Sequence, residues 1–197
     1  MIKIKDYFSE AQWQKFLSAA VEHETPFLLV DLSLIKQKFE EMVMYFPNAK
    51  IHYAMKANPG VPVINLLRDL GSNFDCASIF ELDRVFDSGV TPDRVSYGNT
   101  IKKAAHIKYA YDKGVRLYAT DSKADIQKIA ENAPGSRVFV RILVEGGDTA
   151  EWPLSRKFGC HPDMAIDLLV NAKKLGLEPY GISFHVGSQQ KDIAVWD

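Results

Sequence analysis

The chain has 197 residues, 47% hydrophobic and 25% charged, an ordinary globular composition with enough length for one substantial core. A formal net charge of −1 gives no global field for nucleic acid or an anionic membrane, no apolar run is long enough to span a bilayer, and Met1–Asp6 lacks the apolar core of a signal peptide. The only cysteines, Cys76 and Cys160, make no metal-like or disulfide framework, so a reduced cytoplasmic protein is expected.

Ser9 opens an amphipathic stretch to about His23, with Ala11, Trp13, Phe16, Leu17 and Ala20 at helical spacing, and Pro26 ends it. Phe27–Leu32 is a short apolar run and predicts a buried strand. A helix follows from about Ser33 to Tyr45, and then a strand over Lys50–Lys56. From there strands and helices alternate. Helices are predicted near Val61–Leu70, from Ser78 to about Ser88, and over Lys102–Lys113, Ser122–Glu131 and Pro162–Leu175. Strands are predicted over Asn73–Ser78, Val95–Asn99, Leu117–Asp121, Arg137–Val144 and Tyr180–Gly187. Ser78 and Glu81 fit a capping box, and Gly114 and Gly176 sit where helices stop. Gly146–Gly147–Asp148–Thr149, continuing to Pro153, is the one long polar loop and is expected on an active-site rim.

Such alternation implies an α/β fold with a parallel sheet and right-handed crossovers. Six strands are counted from the lysine strand onward. A closed (β/α)8 barrel needs roughly 250 residues, so six of its eight strands are expected here.

The stretch Ile51–His52–Tyr53–Ala54–Met55–Lys56–Ala57–Asn58–Pro59 carries the most chemistry. Its side chains suit a packed strand, and Asn58–Pro59–Gly60 stops it with turn chemistry. His52, Ala54 and Lys56 would share one face, with the lysine at the strand's carboxyl end, where α/β proteins keep reactive groups. An amine held in apolar surroundings becomes a nucleophile. The bland alternative is a lysine that snorkels out of the strand end.

Tyr53–Ala54–Met55–Lys56–Ala57–Asn58 resembles the Y-A-[VM]-K-[AC]-N segment of the alanine-racemase-fold decarboxylases that use pyridoxal phosphate. Phe74–Asp75–Cys76–Ala77–Ser78 and Phe184–His185–Val186–Gly187–Ser188–Gln189 agree with that family in the same order, and its bacterial ornithine/lysine decarboxylase branch is the nearest match. The resemblance implies a cofactor-binding TIM-type barrel over residues 26–197. Residues 1–25 would be a segment that packs with the family's C-terminal β-domain, which is largely missing from this chain. It also implies that Lys56 carries pyridoxal phosphate as a Schiff base. The activity implied is decarboxylation of ornithine or lysine to putrescine or cadaverine in polyamine biosynthesis, by a cytoplasmic homodimer.

Arg141 stands inside the apolar run Val138–Val144 and must be compensated, either by a structural ion pair or as an anchor for an anionic group. The resemblance puts it beneath the cofactor ring. Asp75, one strand on from Lys56, is a carboxylate for which Lys56 or Arg141 would serve as partner. The resemblance places Ala54, Asp75 and Glu81 in the cofactor site, although Glu81 also has the plain role of a helix cap. His185 is read on a strand face with Ser183 and Gly187. By resemblance it stacks on the cofactor ring, while Ser188 bonds the phosphate. Ser155–Arg156–Lys157–Phe158–Gly159 is a basic patch given no catalytic role. His23, His52, His106 and His161 are scattered without metal-ligand spacing, and Cys76 is read as packing.

No GxGxxG, Walker, GxSxG or zinc motif is present. The family's glycine-rich phosphate loop, its pyridine-nitrogen glutamate and the residues taken from the partner subunit do not map onto this chain, so residues 1–197 alone are expected to be inactive. Rival readings with the same chemistry are diaminopimelate, arginine and carboxynorspermidine decarboxylases. Rivals of another class are a non-catalytic binding homologue of the antizyme-inhibitor kind and a small pyridoxal-phosphate homeostasis protein.

Overall fold

A computed structural model describes residues 8–144, 149–152 and 157–196. Two helices come first, α1 (Glu10–Val21) and α2 (Leu32–Tyr45). The alternating part runs β1 (His52–Ala54), α3 (Val61–Asp69), β2 (Asn73–Cys76), α4 (Ile79–Asp87), β3 (Val95–Tyr97), α5 (Ala104–Asp112), β4 (Leu117–Thr120), α6 (Lys123–Asn132) and β5 (Arg137–Arg141). It ends with β6 (Ala150–Trp152), α7 (Pro162–Lys174), β7 (Glu178–Ser183) and β8 (Ser188–Gln190). The expected six-stranded parallel sheet forms, in the order β1-β2-β3-β4-β5-β7.

Local chemistry sets the helix ends. Asp31 accepts from the Ser33 amide at 2.8 Å to start α2, and Ser122 accepts from Asp125 at 3.2 Å to start α6. Ser78 accepts from the Glu81 amide at 3.3 Å, which is half of the expected capping box. The other half differs: the Glu81 carboxylate reaches past the cap residue to the Ala77 amide at 2.5 Å. Gly114 closes α5 with φ +99°, and a side chain there would press on Pro92 at 2.9 Å.

Strand alternation then sorts the side chains. Phe74, Cys76, Val138 and Val140 are buried on the face that meets the helices. They pack there with Ile64, Leu67, Leu82, Val85, Ile107, Ile126, Ile129 and Leu168. Each such aliphatic side chain contributes about 1.5–3 kcal/mol on burial. The opposite, concave face carries His52, Ala54, Asp75, Ser96, Phe139, Arg141 and Ser183. The parallel register Ala54↔Asp75↔Ser96 and Arg141↔Ser183 keeps these groups in step.

Three expectations are corrected. Phe27–Leu32 forms no strand: Leu28 is 81% exposed, and the run lies beside α1 and α2, lining an apolar cavity with Trp13 and Phe16. An apolar run marks a surface to be covered, but only a neighbouring strand makes it part of a sheet. The strand of His185 stops at Ser183, so His185 lies in the connection to β8. The stretch read as one long polar loop contains a strand, β6, which pairs antiparallel with β8 through Ala150↔Gln190 and Trp152↔Ser188. Residues 145–148 and 153–156 of that region lie outside the described residues.

Candidate active site

β1 delivers Lys56 by ending two steps short of it. The Met55 amide donates to the Asp75 carbonyl at 3.0 Å, and the Ala57 amide turns back to the Ala54 carbonyl at 3.0 Å. Tyr53 Oη donates to the Asn58 carbonyl at 3.2 Å, and Asn58 Oδ1 accepts from the Gly60 amide at 2.9 Å, which closes the turn. Lys56 is therefore on a turn and exposed, rather than on the strand with Ala54. Its amine has no hydrogen bond or ion pair among the described residues.

A cavity of about 430 Å3 brings together Lys56, Ala54, Asp75, Glu81, Arg141 and His185, with Gly98, Asn99, Thr100 and Phe158 completing its wall. A second cavity of about 540 Å3, sharing Ala54, Asp75, Gly98, Arg141 and His185, runs along the concave face below it.

The Asp75 carboxyl is half-buried. It pairs with neither Lys56 nor Arg141, against expectation, and instead accepts from Ser96 Oγ at 2.7 Å. Burial raises its pKa above the ordinary carboxylate value, against the Ser96 hydrogen bond, and Glu81 pushes in the same direction as burial. Gly98 makes room for it, since a Cβ there would sit 2.1 Å from Asp75 Oδ1. Glu81 is fixed by the Ala77 amide and faces the same cavity.

Arg141 ends β5 with no carboxylate within ion-pairing distance among the described residues, and its guanidinium lies 5.3 Å from the Phe158 ring. Burial lowers its pKa while Asp121 and Asp75 support its charge, so it stays a cation. His185 Nδ1 accepts from the Gly187 amide at 2.9 Å, where φ is +102°. Burial first, and then the Arg141 and Lys56 cations, lower its pKa. The ring is therefore neutral, with its proton on Nε2. The site combines an unpartnered amine, a fixed cation, two carboxyl groups and a neutral imidazole.

The family described as the pyridoxal binding domain of pyridoxal-dependent decarboxylases matches residues 32–197. This chain belongs to that family. It is 41% identical to the ornithine decarboxylase of Saccharomyces cerevisiae over 170 residues, 86% of this chain and 36% of that protein. The crystal structure of lysine decarboxylase from Selenomonas ruminantium superposes with a TM-score of 0.85 at 37% identity, covering 96% of this chain and 49% of that one. Antizyme inhibitor 2 of Xenopus laevis is also similar, at 35% identity over 167 residues, 85% of this chain and 36% of that protein. The chain thus spans between a third and a half of the relatives it matches.

Pyridoxal phosphate is the cofactor of this decarboxylase domain, and the cavity fits it. The volume is in the range of small-molecule sites. Thr100 Oγ1 is buried on the wall without a hydrogen-bond partner, a polar atom left for a ligand. Ser188 stands apart from the other predicted site residues. It opens β8, opposite Trp152, and lines neither cavity. Of the basic patch, Ser155 and Arg156 lie outside the described residues, while Phe158 joins the wall. Cys76 points to the helix side and burial raises its pKa, as packing requires. Among the described residues no group of histidines, cysteines and carboxylates could hold a metal, and no helix is long and apolar enough to cross a membrane.

Ser96, Gly98 and Thr100 escaped the sequence reading. Strand alternation through Val95–Asn99 would have put Ser96 and Gly98 on the face of Asp75 once the register was known. Lys102 escaped too, being read as the first residue of a helix. It is 3% exposed and donates to the Asn99 carbonyl at 2.8 Å, the Ala119 carbonyl at 2.6 Å and Asp125 Oδ2 at 2.7 Å. Lys128 adds a contact to Asp125 at 3.4 Å and donates to the Lys102 carbonyl at 2.5 Å. This buried pair anchors the loop that carries Gly98, Asn99 and Thr100 to the cavity.

Proposed function

We propose that the complete protein decarboxylates a basic amino acid, ornithine or lysine, giving putrescine or cadaverine for polyamine biosynthesis. The observation that carries this is the Lys56 amine, unpartnered among the described residues, on a cavity with Asp75, Glu81, Arg141 and His185 in a chain of the decarboxylase family. Lys56 would hold pyridoxal phosphate through Nζ. Bound there, the cofactor supplies an electron sink for the pair left on the substrate when carbon dioxide departs.

The other residues act as a preorganised frame. Arg141 supplies a permanent positive charge at the end of β5. His185, held neutral and oriented by the Gly187 amide, offers a flat ring face. Asp75 and Glu81 set the local negative charge, and Ala54 keeps the wall low. Ser188 is a phosphate ligand by resemblance alone. A cytoplasmic homodimer fits the same reading. The segment before residue 26 is proposed to pack on the family's β-domain, which accords with α1 burying no residue and leaving Val21 87% exposed.

The test is carbon dioxide release from ornithine, lysine, arginine and diaminopimelate by the complete protein, alongside its visible absorption. A cofactor band lost in Lys56→Ala, with turnover of ornithine or lysine, is expected. A protein that takes up no cofactor and releases no carbon dioxide would instead be a binding homologue of the antizyme-inhibitor kind.

A further inference from the structure

The concave face holds a polar chain that links Asp75 to two residues the functional reading does not use, Ser96 and His52. Ser96 is 3% exposed and its Oγ donates to Asp75 Oδ1 at 2.7 Å. On its other side the same oxygen lies 3.4 Å from His52 Nδ1. His52, Ser96 and Asp75 stand on β1, β3 and β2, on one face. The bare Cα of Gly98 leaves room for the carboxyl where it stands, since a Cβ would come within 2.4 Å of both its oxygens.

We propose that Ser96, backed by His52, is the positioning residue of the Asp75 carboxyl, holding it over Gly98 beside Lys56 whether the carboxyl is charged or protonated. The proposal rests on Lys56 being the cofactor's attachment point only for its effect on the cofactor, not for the geometry itself.

The chain is satisfied in both states. With Asp75 ionised, the Ser96 hydroxyl donates to it and strengthens the charged form. With Asp75 protonated, the carboxyl donates to Ser96 Oγ, and the hydroxyl turns its own proton to His52 Nδ1 or to the Phe74 carbonyl 3.5 Å away. Burial lowers the pKa of His52 against a hydrogen bond to the Phe74 backbone, so its ring is neutral, and in the tautomer that carries its proton on Nε2 the Nδ1 atom accepts. The charged groups facing Asp75 are Lys56 after β1, Glu81 on α4 and Arg141 on β5. His185 lines the same cavity. Lys56 and Arg141 favour the anion and Glu81 opposes it. Ser96 is the neutral group that adds to the two cations.

The measurement is the titration of the Asp75 carboxyl by carbon-13 NMR in the complete protein free of cofactor, in wild type, Ser96→Ala, Ser96→Thr and His52→Phe. Ser96→Ala is expected to raise the midpoint by about one pH unit, a change of about 1.4 kcal/mol in the balance between the two forms. Ser96→Thr, which keeps the hydroxyl, should restore it, and His52→Phe should move it less. An unchanged midpoint in Ser96→Ala overturns the proposal. With cofactor bound, Ser96→Ala should also lower the pH at which the visible band changes, because a neutral Asp75 supports a nearby cation less. Asp75→Asn should produce the same shift, with no further change in the double variant. A carboxyl that responds to Ser96 in a protein with no cofactor band would leave the positioning role standing and remove the Lys56 attachment.

Discussion

Lys56 and Lys102 each follow a strand of the same sheet, yet their amines meet opposite surroundings. Lys56 sits on an exposed turn with no partner among the described residues, beside a cavity of charged groups. Lys102 has a fully buried side chain, and each of its three N–H donors finds an acceptor. Burial lowers the Lys102 pKa, and the Asp125 charge works against that shift. An amine whose three protons are all occupied has neither a free lone pair nor room to approach a carbonyl group. The difference teaches that reactivity here comes from what the fold withholds from a lysine, while rigidity comes from what it supplies.

The largest expected effect breaks the pair apart functionally. Lys56→Ala in the complete protein should abolish covalent cofactor retention and turnover, while the unfolding midpoint stays within about 0.5 kcal/mol of wild type. A large stability loss would mean that Lys56 is structural after all.

Lys102→Ala should do the reverse. Leaving Asp125 buried without its main partner should cost about 3–5 kcal/mol in denaturant unfolding. Lys102→Met combined with Asp125→Leu should recover most of that loss, because the uncompensated charge is gone. If the double variant is no better than the single one, packing around Lys102, and not charge, holds this region.

Gly98→Ala tests the loop that Lys102 anchors. The added methyl would overlap the Asp75 carboxyl. A stability loss of about 1–3 kcal/mol is expected, with cofactor affinity falling further than in Gly135→Ala, where the φ of +71° strains an alanine at a position that lines neither cavity. Equal affinities in the two variants would detach Gly98 from the site.

The smallest effect concerns the acids that accompany the two lysines. The pKa of Asp75 is higher in the folded protein than unfolded, so between those two values the folded state binds more protons. Stability from this group therefore falls as pH rises through that window, and the deficit persists above it. Asp75→Asn should be more stable than wild type at neutral pH by about 1 kcal/mol or less, and the gap should close as pH falls toward the unfolded carboxylate value. A gap that widens in acid would contradict the sign.

Much of this was legible from residues alone. Lys56, Asp75, Arg141 and His185 stand out because charge or imidazole interrupts apolar runs, and the family resemblance, more than any spacing, joins them in one site, although Lys56 and His185 lie just past their strands. The strand over Phe27–Leu32 was misread because hydrophobicity reports burial demand without naming the partner that meets it. Ser96 and Gly98 needed the register between β2 and β3, which no local pattern contains. Lys102 was invisible for a related reason: its acceptors come from the β3–α5 loop, the end of β4 and α6, which are brought together only by the crossovers.

The strand order has a consequence for how the protein is made. β2 pairs with β1, β3 with β2, β4 with β3 and β5 with β4, so each of these strands docks on the one synthesised immediately before it. Among the described strands two pairings pass over a neighbour in sequence: β7 skips β6 to dock on β5, and β8 skips β7 to form the separate ribbon with β6. Within the six-stranded sheet no strand must wait for a later one before it can dock, so the loops closed from β1 to β5 are short and their entropic cost stays low, whereas β6 waits for β8. A chain leaving the ribosome can lay down this sheet one unit at a time, each completed edge serving as the template for the next.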